Sequence, residues 1–354
     1  MNRKRNPGLD YMRGIACLMI LLYHYSTRYE ILFGHAKPWP IPFAHGNMGV
    51  AVFFVLSGYL AMKTFRAEET IGGYWIKKGI RLFPAYWVCL TLTFLVTTLW
   101  LPSRAVSLRD ALLNLPMLHF FIGVPSVDGA YWALAYELVF YAFVWLCLVV
   151  LRKKDQFDLI SGAYLAFLFL MFFAGKAGLL PKGTTFMDLL ERGLALDYGQ
   201  TFLAGVLTAY LFNPGHKRRL PDFLLILLCV LYHGLYHGVG YTVVFALALL
   251  LVALFAFLEQ KQIQMPDVLL RVLRPIAFIA SISYPLYLCH QNIGMAIIKG
   301  VESAGGYSEW FILVPLTVCG VLSWAIHRFV ELPVQKFARR KLPKGGPRSP
   351  AAGQ

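Results

Sequence analysis

Apolar runs of about 17–25 residues recur along almost the whole chain,. As a helix rising 1.5 Å per residue, such a run crosses the ~30 Å hydrocarbon core of a bilayer. Ten of them in succession dictate an all-α integral membrane protein of about ten transmembrane helices, because a helix closes its own backbone hydrogen bonds in lipid. Composition agrees: 14% of the 354 residues are charged, against about 25% in soluble domains. The runs predict helices at 9–27, 48–65, 82–101, 130–151, 159–175, 194–212, 221–237, 240–258, 275–298 and 309–330.

The net charge of +15 sits in short segments between the runs. That is the pattern of helix orientation and anionic lipid, not of nucleic acid. Ten spans put both termini on one side. The segments on that side hold 24 Lys/Arg, those on the other 8, so both termini are expected in the cytoplasm. Residues 1–340 read as one membrane domain, and 341–354 as a basic, Pro/Gly-rich, disordered cytoplasmic tail,. The first run holds Arg, His and Tyr and lacks a small-x-small cleavage site, so it reads as an uncleaved helix,. No internal repeat stands out. All six cysteines lie inside apolar runs without CxxC or Cys/His spacing, which reads as core thiols, with neither disulfide framework nor metal site.

Ionisable side chains within spans are expensive, so their convergence matters. In LDYMRGIACLMILLYHYS, Arg13 and His24 are eleven residues apart. They share a helix face and lie about 16 Å apart along the axis. Arg13 can equally pair with Asp10 at i−3, and His24 can serve as an interhelical hydrogen-bond partner. In GAYWALAYELVFYAF, Glu137 reaches a depth similar to His24, which would keep it ionised and orient the imidazole,. In SISYPLYLCHQNIG, Pro285 frees a carbonyl before His290, a second candidate or a core histidine,. In GVAVFFVLSGYLAM, Ser57 is not in a GxSxG elbow, and close helix packing through Gly58 explains the pair better,. Ahead of the third helix, Lys78 and Arg81 are three residues apart and share a face,. They are ordinary positive-inside charges or, with Arg13, a phosphate site. Two layers result: Arg13, Lys78 and Arg81 near the cytoplasm, and His24, Glu137 and His290 in the outer half. A long donor with a charged head and a reactive end deep in the membrane, such as acyl-coenzyme A, fits both.

These stretches resemble acyltransferase family 3, bacterial ten-helix membrane O-acyltransferases that modify surface glycans. Arg13, ten residues and His24 resemble its first-helix motif, and GVAVFFVLSGYL its second-helix motif. KKGIRLFPAYW resembles its Arg-x-x-Arg segment with a following Pro, here Lys78, Arg81 and Pro84. YWALAYELVFY resembles its Trp–Leu–Glu segment at Trp132 and Glu137, with one residue fewer in the spacing. SYPLYLCHQNI resembles its ninth-helix Tyr–His segment, and FVELPVQK its Glu-x-Pro exit at Glu331 and Pro333. Lys78 replaces the first Arg, and Asn292 stands where a Pro often follows the His.

The resemblance implies transfer of an acyl group, most often acetyl, from acetyl-CoA or another acyl-CoA to a hydroxyl of a glycan or glycolipid acceptor. His24 would be the general base or a transient acyl carrier, oriented by Glu137. Arg13, Lys78 and Arg81 would hold the coenzyme A phosphates, and His290, Trp132, Ser57 and Tyr136 are candidate substrate contacts. The rival readings are an exporter of a lipid-linked or small glycan, which lacks the expected inverted repeat, and a receptor or scaffold, which leaves the polar layers unexplained.

Overall fold

Each apolar run satisfies its backbone within itself, so the chain is helical wherever it is apolar. The computed structural model describes residues 7–37, 41–65, 70–152, 156–181, 184–305 and 310–341, without the side chains of Arg339 and Lys341. The tail beyond residue 341 lies outside the described residues. So do Arg3, Lys4, Arg5, Arg66, Lys153, Lys154 and Lys182 of the charge asymmetry. Among the described residues there is no strand.

α1 (Pro7–Tyr23) continues through a π-helical turn (His24–Arg28) into α2 (Tyr29–Phe33). Then follow α3 (Gly49–Lys63), α4 (Ile71–Trp100), α5 (Leu108–Asn114) and α6 (Trp132–Val144), which ends in a second π-helical turn (Trp145–Val150). Next come α7 (Phe157–Lys176), α8 (Thr185–Gly193), α9 (Gly199–Leu211), α10 (Arg219–His237) and α11 (Val239–Gln260). Last are α12 (Asp267–Val272), α13 (Arg274–Ser303) and α14 (Leu313–Ile326), which leads through a third π-helical turn (His327–Glu331) into α15 (Leu332–Lys341).

Seven helical stretches among the described residues are long and apolar enough to cross a membrane: Gly46–Lys63, Ile71–Trp100, Gly129–Val150, Phe157–Lys176, Arg219–His237, Val239–Gln260 and Leu313–Ala338. The other three predicted spans fold as helices α1, α9 and α13 but fall short by length or polarity. They line the interior of the bundle. α9 has 13 residues, nearly all buried, and α13 buries His290, Gln291 and Asn292. A helix walled by protein has no need of a lipid-compatible surface. α3 packs on α9 at backbone contact. A Cβ at Gly58 would lie 2.0 Å from the Phe202 carbonyl oxygen, and one at Gly205 2.1 Å from that of Val55. All six cysteines are free and buried.

Two expectations need correction. α4 starts at Ile71 rather than 82, with the Thr70 side chain accepting from the Gly73 amide. Lys78 and Arg81 are therefore inside this 30-residue helix. Its ~45 Å length exceeds the hydrocarbon core by about 15 Å, which leaves room for charge in its first turns. The segment 102–129 is also no simple outer loop. It folds back along α4, where Tyr86 donates to the Asn114 carbonyl (2.7 Å) and the Trp87 indole to that of Leu115 (3.1 Å). Tyr86 is about 22 Å from either end of α4. Irregular backbone at that depth must be satisfied by protein. Asn114 does much of this, donating to the Asp110 and Pro125 carbonyls and accepting from the Val127 amide.

Candidate active site

His24 is the first residue of the π-helical turn that follows α1. Such turns recur at functional sites. His290 projects from the middle of α13 and is fully buried. The helices meet closely here: Tyr25 donates to the His290 carbonyl (3.0 Å), and a Cβ at Gly294 would lie 2.2 Å from the Tyr25 ring.

The partners assign the tautomers. His290 Nδ1 is 2.7 Å from the Tyr287 carbonyl, which only accepts. Nδ1 therefore carries the hydrogen and Nε2 presents a lone pair. His290 Nε2 is 3.1 Å from His24 Nδ1, which is also 2.9 Å from the Ile20 carbonyl. His24 Nδ1 must therefore be the donor. That leaves the lone pair on His24 Nε2, which takes no protein partner among the described residues, on a half-buried side chain. A basic nitrogen with its ring held from behind is the geometry of a general base.

Glu137 is not that holder, contrary to the sequence expectation. Its Oε1 accepts from Ser57 Oγ (3.2 Å) and from the Tyr141 hydroxyl. No hydrogen bond joins it to His24 among the described residues. Lys78 places Nζ 3.6 Å from the centre of the Tyr141 ring. Arg81 lies within electrostatic reach of Tyr141, Glu137, Tyr284 and Glu331. Among the described residues it forms no ion pair or hydrogen bond of its own. It is exposed by area. Glu137 thus belongs with Lys78 and Arg81. Arg13 pairs with Asp10 (3.3 Å), the alternative open to it from sequence.

The two groups are joined by a seam on α13 and α3. Tyr284 donates to the Leu82 carbonyl beside Arg81 (2.8 Å). Tyr287 and His290 follow at three-residue steps, about 9 Å in all. On α3, Phe53 meets Tyr287 (centroids 5.9 Å), and Ser57 is one turn away. Trp132 and Tyr136 form an aromatic cluster with Phe54, Phe120 and Tyr198, at centroid distances of 5.4–6.4 Å.

Sequence reasoning missed Tyr141, Tyr287 and Asp128. Tyr141 and Tyr287 carried a signal, since each lies one turn from a residue already singled out. Asp128 carried none. It is fully buried and accepts from the Ala130 and Asn292 amides (both 2.9 Å), pinning the folded-back segment to α13. Burial pushes its carboxyl up to about 6. Asn292 supplies the amide hydrogen that a Pro there would lack. No three His, Cys, Asp or Glu side chains converge as a metal site among the described residues.

Residues 6–327 match the family described as the acyltransferase domain. The chain belongs to that family. Its curated relatives include the peptidoglycan O-acetyltransferase OatA of Listeria monocytogenes, 24% identical over 95% of this chain and 56% of the relative. A Staphylococcus aureus protein provisionally named an O-acetyltransferase is 25% identical over 93% of this chain and 57% of that relative. A Bacillus subtilis protein provisionally named a peptidoglycan O-acetyltransferase is 24% identical over 94% and 56%. The chain thus spans just over half the length of these relatives. No solved structure matches it.

Proposed function

We propose that this acyltransferase-family chain is a membrane O-acyltransferase. It moves an acyl group, most readily acetyl, from cytoplasmic acyl-CoA to a hydroxyl of an extracytoplasmic glycan or glycolipid. The relatives' names support an O-acetylated glycan, peptidoglycan among the candidates. The observation that carries the reading is that His24 Nε2 takes no protein partner among the described residues while Nδ1 is held by His290 and Ile20.

In this reading the acceptor O–H gives its proton to His24 Nε2 as the oxygen attacks the thioester carbonyl. The C–S bond then breaks, and the leaving sulfur takes the proton from His24, regenerating the neutral ring. Acceptor and acyl-CoA go in; O-acyl acceptor and coenzyme A thiol come out. His290 holds the tautomer. Arg81 and Lys78 meet the coenzyme A phosphates, with Glu137, Ser57 and Tyr141 beside the cations,. Arg13 extends that positive side. The seam from Arg81 through Tyr284 and Tyr287 to His290 and His24 marks the path by which a cytoplasmic donor meets an outer acceptor. Trp132 and Tyr136 offer aromatic faces to a sugar ring.

Ten membrane helices with cytoplasmic termini, in the bacterial cytoplasmic membrane, complete the reading. The seven qualifying stretches, together with helices α1, α9 and α13, are compatible with that count. The test is the mass of surface glycans from cells making the native chain or His24→Ala at equal protein level. The native chain adds one acyl mass. A His24→Ala protein that still adds it would remove the base from this reading.

A further inference from the structure

We propose that His35 and Glu302 are positioning residues for His24, clamping α13 to the π-helical turn that aims His24 at His290. The proposal rests on the reading of His24 as the base.

After α2 the chain reverses at Gly34, at φ +69°, and places His35 against the end of α13. The His35 side chain is fully buried and that of Glu302 is 10% exposed. His35 Nδ1 is 3.0 Å from Glu302 Oε1 and Nε2 is 3.2 Å from the Ser26 carbonyl. Both partners accept. Both ring nitrogens thus face acceptors, and the imidazole ties Glu302 of α13 to the backbone of the turn,. Glu302 also accepts from the Tyr29 hydroxyl (2.9 Å) and the Ala36 amide (3.3 Å). Glu30 accepts from the His35 amide (2.8 Å). The rings of Tyr29 and Phe311 flank the imidazole, with centroids 4.6 and 5.5 Å away. The nearby cation of α13, Lys299, sits over the Phe33 ring (5.6 Å) rather than on Glu302.

Ser26 is the link to the site, because it is the third residue of the turn that opens with His24. In that turn the Tyr29 amide bonds the His24 carbonyl, five residues back. The ordinary α-helix is the default, so a π-helical turn persists where its surroundings hold it. α13 holds this one twice: at His290 through His24 and Tyr25, and about 18 Å further on, by helix rise, through Glu302 and His35.

The experiment uses washed cells making the full chain, pulsed with radiolabelled acetate. Alkali-labile label on envelope glycans is counted per unit of protein. His35→Gln and Glu302→Gln each lower the label about tenfold, the scale of one hydrogen bond to a charged group. The double variant is no worse than either single one, and Glu302→Asp retains most of the label. Amide exchange over residues 24–29 rises in His35→Gln and not in His24→Ala. Unchanged labelling, or unchanged exchange at 24–29, in folded His35→Gln overturns the clamp. Full labelling by His24→Ala would overturn the base instead, and the exchange comparison still judges the clamp.

Discussion

At the scale of single residues, the chemistry rests on which nitrogen of His24 keeps its lone pair. A carboxylate partner would have favoured an imidazolium. The partner is a second histidine, itself fixed by the Tyr287 carbonyl, so the pair stays neutral with its basic end outward. His290→Gln can offer Nδ1 of His24 either an acceptor or a donor and fixes the tautomer less firmly. We expect acetyl transfer about 10–100-fold below the native chain, against about 10²–10⁴-fold for His24→Ala. The double variant should be no worse than His24→Ala alone, because the two act as one unit. Envelope acetate at matched protein level measures all three.

At the scale of elements, close helix approach and one buried loop histidine carry the testable consequences. Gly58 has the Phe202 backbone where a Cβ would go, so Gly58→Ala must push α3 from α9. It should destabilise by about 1–3 kcal/mol. Gly300, also helical, has open space around it, and Gly300→Ala should gain about 0.5–1 kcal/mol from helix propensity. Thermal unfolding in detergent separates the two. In the folded-back segment, burial pushes His119 from 6.5 down to about 4. Its Nε2 meets Ser126 Oγ (3.0 Å), and its buried Nδ1 lacks a partner among the described residues. The unfolded chain takes up this proton first. Stability that is complete above pH 6.5 is thus lost as pH falls from 6.5 toward about 4,. The stability difference between the native chain and His119→Gln should shift in favour of the variant across that window, as read from unfolding midpoints. A constant difference would rule out this titration.

At the scale of the whole molecule, α3, α9 and the middle of α13 are buried, while α7, α10, α11 and α14 present exposed apolar side chains. If both termini are cytoplasmic, a phosphatase that works only outside the cytoplasm should be inactive when fused after Lys341. It should be active when inserted between α7 and α8, near Leu180. Active enzyme at the first site would reverse the orientation. The apolar runs alone determined that the chain is a helical membrane protein and where most helices lie, because lipid leaves no other way to satisfy a backbone. They also exposed Arg13, His24, Glu137 and His290, since charge in a span stands out against its surroundings. Which of these meet was settled only by tertiary structure. Helix periodicity gives a residue's face and depth, but not which neighbour the bundle turns toward that face. Glu137 and His290 stood at compatible depths, and packing set His290 against His24 and Glu137 against Ser57. The folded-back segment was hidden for the same reason: its polar backbone reads as a loop until Asn114, Asp128 and Asn292 are brought together to satisfy it.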